Sequence, residues 1–256
     1  MIRIYSLILS FIISFALFTT AHAQRLVSGL SDSQISIHSS FSGDTLTIFG
    51  NIEAEHGAKD KIITGSFNII TVIKGPTINR IIRKKSKQFG VWLNSDYEKY
   101  NRFSSFFWIL SDTNLSDIAS DETLREIGLP LNVQPQLSLK KSDEHSETFN
   151  ANLIRLMKDE GLFGVNENAI LFRSDTLFST QIKLPANVPV GNYIAQTYLF
   201  QNGVLVSKQA EPFSVKKTGF ERFLGNFAKQ SPLLYGIFAV FLALFTGWLG
   251  GVAFRR

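Results

Sequence analysis

The stretch PANVPVGNYIAQTYLFQNGVLVSKQAEPFSV, residues 185–215, decides how the chain is read. Asn202-Gly203 separates two runs with strand character, Tyr193–Gln201 and Val204–Val215. Asn-Gly suits a two-residue type I′ hairpin turn, because both central residues then need positive φ. Upstream, Pro185, Pro189 and Gly191 lead into Tyr193. That spacing is like the turn before the last hairpin of immunoglobulin-like sandwiches, where a Tyr hydroxyl ties a corner.

Working outward, the earlier segments alternate as half-buried strands do. Ile35 and Ile37 share a face within Ser33–His38, and Leu46, Ile48 and Ile52 share one within Asp44–Glu53. Phe67–Lys74 reads FNIITVIK, is rich in β-branched residues, and stops at Gly75-Pro76. Thr77–Lys85, Phe89–Leu93 and Ser104–Leu110 follow as strands, and Ala169–Phe172 and Thr176–Leu184 precede the final hairpin. Helical cues interrupt the series. Ser120-Asp121 opens DETLREIG, and about Ser146–Glu160 carries Phe149, Leu153, Leu156 and Met157 at helical spacing before Gly161. The expected fold is mainly β. It is an immunoglobulin-like β-sandwich over residues 24–218 with a partly helical insertion at about 89–170; two small domains are the alternative.

The two ends read differently. Residues 1–23 have Arg3, an apolar run from Ile4 to Phe18 and Ala21-His22-Ala23, the pattern of a secretory signal peptide. Pro232 and the 20 uncharged residues of Leu233–Val252 are long enough for a transmembrane helix over 232–252. Ser231 suits its N-cap, and Pro232 its first helical position. Arg255 and Arg256 in the tail, 253–256, favour a cytoplasmic C-terminus. Just before the span, 219–231 reads as an amphipathic juxtamembrane helix. Thr218 and Glu221 have capping-box spacing, and Phe220, Phe223, Leu224 and Phe227 form one apolar stripe suited to the headgroup layer. Ala239, Ala243, Gly247 and Gly251 recur every fourth residue and give the span a small face for helix packing. The implied location is the bacterial inner membrane, single pass, with the N-terminal domain in the periplasm.

Composition bounds the chemistry. The chain of 256 residues is 45% hydrophobic and 18% charged, so it is not disordered. It has no Cys, which excludes disulfides, thiolate metal sites and a cysteine nucleophile. The formal charge of +5 and pI near 9.4 suggest nucleic acid or an anionic membrane at first sight. Residues 24–218, however, hold 21 Lys and Arg against 20 Asp and Glu. The basic balance is topological, and no nucleic-acid partner is expected. Locally, Arg80, Arg83, Lys84, Lys85 and Lys87 concentrate where no acid occurs between Lys61 and Ser95. They read either as a patch for an anionic partner or for lipid headgroups, or as a Lys-rich strand edge that blocks sheet association. Trp92, Phe106, Phe107 and Trp108, nearby, read as core.

No catalytic or cofactor motif appears: no G-x-S-x-G, P-loop or G-x-G-x-x-G. His38, His56 and His145 are scattered without metal-ligand spacing. No cofactor, metal or catalytic residue is expected.

FSGDTLTIFG (41–50), VIKGP (72–76), IIRKKSKQFGVWLN (81–94), 171–203 and 215–251 together resemble the alphaproteobacterial putative transmembrane protein family, whose members have no established function. The resemblance implies a secreted N-terminus, a periplasmic domain and a C-terminal span. It also implies a genetic neighbourhood with a sulfite-exporter-like permease, and it supplies no active-site residues. The expectation is a non-enzymatic accessory subunit that contacts the bilayer and another inner-membrane protein. The alternative is a membrane-tethered small-ligand receptor or enzyme.

Overall fold

The computed structural model of the chain describes residues 24–38, 40–54, 66–139 and 144–253. The expected signal peptide, His56, Arg255 and Arg256 lie outside them. Elements are numbered in chain order, and the described part is mainly β. Four antiparallel strands form one sheet: β1 (Gln24–Leu30), β3 (Asp44–Ala54), β10 (Leu177–Leu184) and β9 (Leu171–Phe172), in that order. Six form a second, mixed sheet: β2 (Gln34–Ile37), β12 (Val204–Lys217), β11 (Gly191–Gln201), β4 (Phe67–Lys74), β7 (Phe107–Ser111) and β8 (Phe163–Asn166). Only the β12–β2 and β7–β8 pairs in it are parallel.

The alternation read from sequence locates the core. Leu46, Ile48 and Ile52 of β3 and Phe178, Ile182 and Leu184 of β10 point inward. They join Ile69, Ile73, Ala195, Leu199 and Phe213 of the larger sheet in one continuous hydrophobic cluster. β4 and β11 are buried along most of their length, as central strands covered on both faces are. Asn202 and Gly203 adopt φ 50 and 83, the left-handed pair that a type I′ turn demands. The Tyr193 hydroxyl donates to the Pro189 carbonyl at 2.6 Å, so the expected corner tie is present. Its ring stacks on Phe213 at 5.0 Å.

β4 and β7 do not end their pairing where the sheet ends. After Lys74↔Phe107, the Gly75 N–H donates to Phe106 O at 2.8 Å and the Ser105 N–H to Pro76 O at 2.9 Å. Pairing resumes at Thr77↔Ser104 in β5 (Thr77–Gln88) and β6 (Val91–Ser104). One long hairpin therefore runs out of the sheet as a two-stranded ribbon that closes at Phe89-Gly90. This corrects the strand expected at Phe89–Leu93: Phe89 is a turn residue, and β6 extends ten residues past Asn94. It also corrects Trp92, expected in the core. Phe106 and Phe107 are fully buried and Trp108 is half-buried, its indole N–H donating to Gly161 O at 3.1 Å. Trp92 is 66% exposed, because a two-stranded ribbon has no second layer to cover that position.

The helices α1 (Leu115–Ile118), α2 (Asp121–Glu126), α3 (Val133–Ser138) and α4 (Glu144–Asp159) join β7 to β8. The Ser120 hydroxyl caps α2 by accepting from the Thr123 N–H. α4 buries Phe149, Leu153 and Met157, whereas Leu156 stays exposed. Within the interval 89–170, the helical part occupies 115–159, while β7 and β8 are strands of the six-stranded sheet. Two helices close the chain: α5 (Phe220–Gln230) and α6 (Pro232–Ala253).

Candidate functional site

Two surfaces stand apart from the finished core. The first is α6. It is 22 residues long with a mean hydropathy of 2.0, and among the described residues none of it is buried. A helix that is apolar all round belongs in a protein core or in lipid, and no core surrounds this one. Ser231 ends α5 and its carbonyl accepts the first helical bond of α6, from the Tyr235 N–H at 2.9 Å. Pro232 occupies the first helical position, as its missing N–H allows. Ala239, Ala243, Gly247 and Gly251 are all exposed, and a Cβ added at Gly247 or Gly251 would meet nothing within 4 Å. Phe241, Phe245 and Trp248 form a ring series with centroids 6.4 and 6.2 Å apart.

α5 carries Leu224 and Phe227, both half-buried, and Phe227 meets Tyr235 of α6 edge-on at 6.0 Å. The side chains of Phe220 and Phe223 lie outside what is described. The capping box expected at Thr218 does not form. Gly219, at φ 87, is the N-cap, with no side-chain bond. Thr218 instead turns back to the domain, where its N–H donates to Ile37 O at 2.8 Å and its hydroxyl to the same oxygen at 3.4 Å. A positive-φ residue between strand and helix puts the Thr218 side chain on the sheet side of the junction.

The second surface is the outer half of the ribbon. Arg83, Lys84, Lys85 and Lys87 are exposed, and none makes an ion pair with a described residue. Arg80 departs from the expected patch. It sits at the ribbon's base, half-buried, 3.7 Å from the Glu160 carboxylate, with its guanidinium against the Met157 sulfur. The base is tied down elsewhere too. The Tyr100 hydroxyl donates to Asn150 Oδ1 of α4 at 2.9 Å, and Phe103 stacks on Phe163 at 5.4 Å. Burial, helped by the charge of Glu98, pushes the Tyr100 phenol well above its ordinary value. Burial does the same at Tyr193 and raises Tyr198. It lowers Lys74, whose ammonium sits 5.7 Å above the Phe107 ring.

Between the ribbon and α4 lies an open cleft of about 330 Å³, lined by Ile82, Arg83 and Lys84 on one side and Phe149, Asn152 and Arg155 on the other. Arg155 is already paired with Asp159 at 3.1 Å. Among the described residues no group of three or more His, Asp and Glu gathers as metal ligands. His38 is exposed and meets the Phe41 ring edge-on at 6.3 Å. His56 and the His145 side chain lie outside what is described. Sequence reasoning missed the apolar tip Phe89, Val91, Trp92 and Leu93. The available signal was Phe-Gly between the β-branched, basic run 77–88 and Val91-Trp92-Leu93, which can be read as a turn as readily as a strand.

A family model described as "Putative transmembrane protein (Alph_Pro_TM)" matches residues 25–256, nearly the whole chain beyond the expected signal. No curated protein matches it.

Proposed function

The chain belongs to the Alph_Pro_TM family, and from that premise we propose that it is a single-pass accessory subunit of another inner-membrane protein. In this reading residues 1–23 direct secretion, and residues 24–218 form an immunoglobulin-like sandwich in the periplasm. Arg255 and Arg256 hold the C-terminus in the cytoplasm, in line with the positive-inside rule. The Tyr193–Pro189 corner and the two sheets around one core support the sandwich assignment. The observation that carries the reading is the contrast between a finished core and α6, which no described residue buries. A non-enzymatic role fits a surface whose concentrated features are apolar and cationic rather than convergent acids and bases. A permease of the sulfite-exporter kind is the partner that the family resemblance suggests.

Photo-crosslinkers at Ala243 and near Lys84 test this in the native membrane. A membrane protein captured from Ala243, and lost in Gly247→Leu/Gly251→Leu because bulk blocks close helix approach, is the expected result. Recovery of this chain alone, with unchanged complex size in the double variant, would overturn it. The cleft between the ribbon and α4 supports a second reading, a small-ligand receptor for an anion. That reading gains if no protein is captured and the cleft variant Arg83→Gln loses a ligand-dependent thermal shift.

A further inference from the structure

The tip of the β5–β6 ribbon exposes Phe89, Val91, Trp92 and Leu93 together, with Phe89 at 106% of its reference exposure. Soluble surfaces rarely present contiguous large apolar side chains without a use for them. The backbone adds a second observation. Phe89 holds φ 49, a left-handed conformation that bulky residues seldom adopt and that Asn, Asp or Gly fill without strain. Among the described residues nothing covers the phenyl ring at that position.

Cross-strand partners share a face, so register assigns the cations. Lys87 lies opposite Trp92, Lys85 opposite Asn94 and Arg83 opposite Tyr97. One face therefore carries three cations beside two exposed aromatic rings. Moving back from the turn, the first acid is Asp96, opposite Lys84 on the other face. Apolar and aromatic side chains at an extremity, with a collar of Lys and Arg behind them, match the two layers of an anionic membrane surface. Rings enter the boundary of headgroups and acyl chains, and cations stay with the phosphates.

The sheet topology also places the ribbon's root by the membrane anchor. Lys74, the last residue of β4, pairs with Ile194, and Gly191, three residues earlier in β11, pairs with Val215 of β12. β12 then continues to Lys217 and into α5 and α6. The ribbon and the span thus leave the six-stranded sheet at the same end. We infer that the tip of the β5–β6 ribbon is a second membrane contact, in which Phe89, Val91, Trp92 and Leu93 enter the interface and Arg83, Lys85 and Lys87 bind anionic phospholipid headgroups.

The absence of Cys makes the test direct, since one introduced thiol carries one dye. Full-length Val91→Cys, Ser116→Cys and Leu244→Cys are each labelled with nitrobenzoxadiazole. They are reconstituted into vesicles of phosphatidylcholine, with or without phosphatidylglycerol, that contain nitroxide-labelled lipid. Ser116 is exposed beside the Asn202-Gly203 turn, at the far end of the sheet, and Leu244 lies within α6. The label at 244 reports insertion of the span, and its failure would strike the transmembrane reading rather than the tip. With the span inserted, the label at 91 shifts to the blue and is quenched in phosphatidylglycerol vesicles, while the label at 116 stays aqueous. Removing Arg83, Lys85 and Lys87 as Gln weakens the contact roughly fivefold per cation. A label at 91 as aqueous as that at 116 in both vesicle types would overturn the proposal. So would shielding at 91 that ignores lipid composition and appears only when a protein partner is co-reconstituted.

Discussion

The chain turns twice through nearly the same backbone angles, with opposite consequences. At Asn202-Gly203, φ is 50 and 83; at Phe89-Gly90, it is 49 and 85. The first turn joins β11 to β12 inside a six-stranded sheet, where Tyr198, Leu199 and Phe200 are buried. The second closes a ribbon whose outer residues are exposed on both faces. Local hairpin chemistry is therefore shared, and burial comes entirely from what covers the strands. The inner hairpin uses the residue that relieves its turn. The outer one keeps a residue that strains its turn, which only an external contact repays.

The largest effect that separates the two hairpins is the same truncation made in each. Leu199→Ala removes a fully buried side chain from the core and should cost about 2–5 kcal/mol in denaturant unfolding. Leu93→Ala, on the ribbon, should stay within about 0.5 kcal/mol. A comparable loss at both would mean that the ribbon is covered in the free protein, and the comparison would break.

A smaller effect concerns the join between them. Tyr100 and Asn150 fasten the ribbon's base to α4, and Asn150 Nδ2 already lacks a partner in its buried site. Tyr100→Phe strips the other end of that amide and should cost about 1–3 kcal/mol. The same phenol sets a pH dependence. Its folded-state pKa lies above the ordinary phenol value of about 10, as does that of Tyr193. Below that value both forms of the chain hold the protons. Above it the unfolded chain releases them first, so stability falls as pH rises. Tyr100→Phe should flatten that alkaline slope in thermal melts, and an unchanged slope would assign the titration elsewhere.

How much was legible in the sequence follows the same division. Where residues are covered by other residues, pattern sufficed. FNIITVIK is β4 to the residue, Asn202-Gly203 is the turn, and Ser120 is the α2 cap. The span was plain because length and hydropathy are properties of the segment alone. The ribbon was not legible for the opposite reason. Val91–Ser104 mixes Trp, Tyr, Asp, Glu and Lys with no burial face, since neither face of its outer half is buried. Periodicity reports a buried side, so a strand without one leaves no period. Sequence places Arg80 with its charged neighbours, because sequence distance cannot show Glu160 beside it. Two registers decided its fate, the hairpin pairing and the packing of α4, and both are long-range.

The finest test exchanges the turns themselves. Asn tolerates left-handed φ, so Phe89→Asn should relieve the outer turn by about 0.5–1 kcal/mol, whereas Asn202→Phe should add a similar strain to the inner one. Because the ribbon can open locally, the gain is read best as slower hydrogen exchange of the β5 and β6 amides. If Phe89 were held by unseen packing within the chain, its replacement would loosen the ribbon, and exchange would quicken. If it is held by a membrane, Phe89→Asn in detergent-free vesicles should quieten the ribbon's amides yet weaken the quenching of a dye at position 91. Opposite movements of stability and contact at one residue are what a strained docking element requires, and no purely structural role for Phe89 produces both.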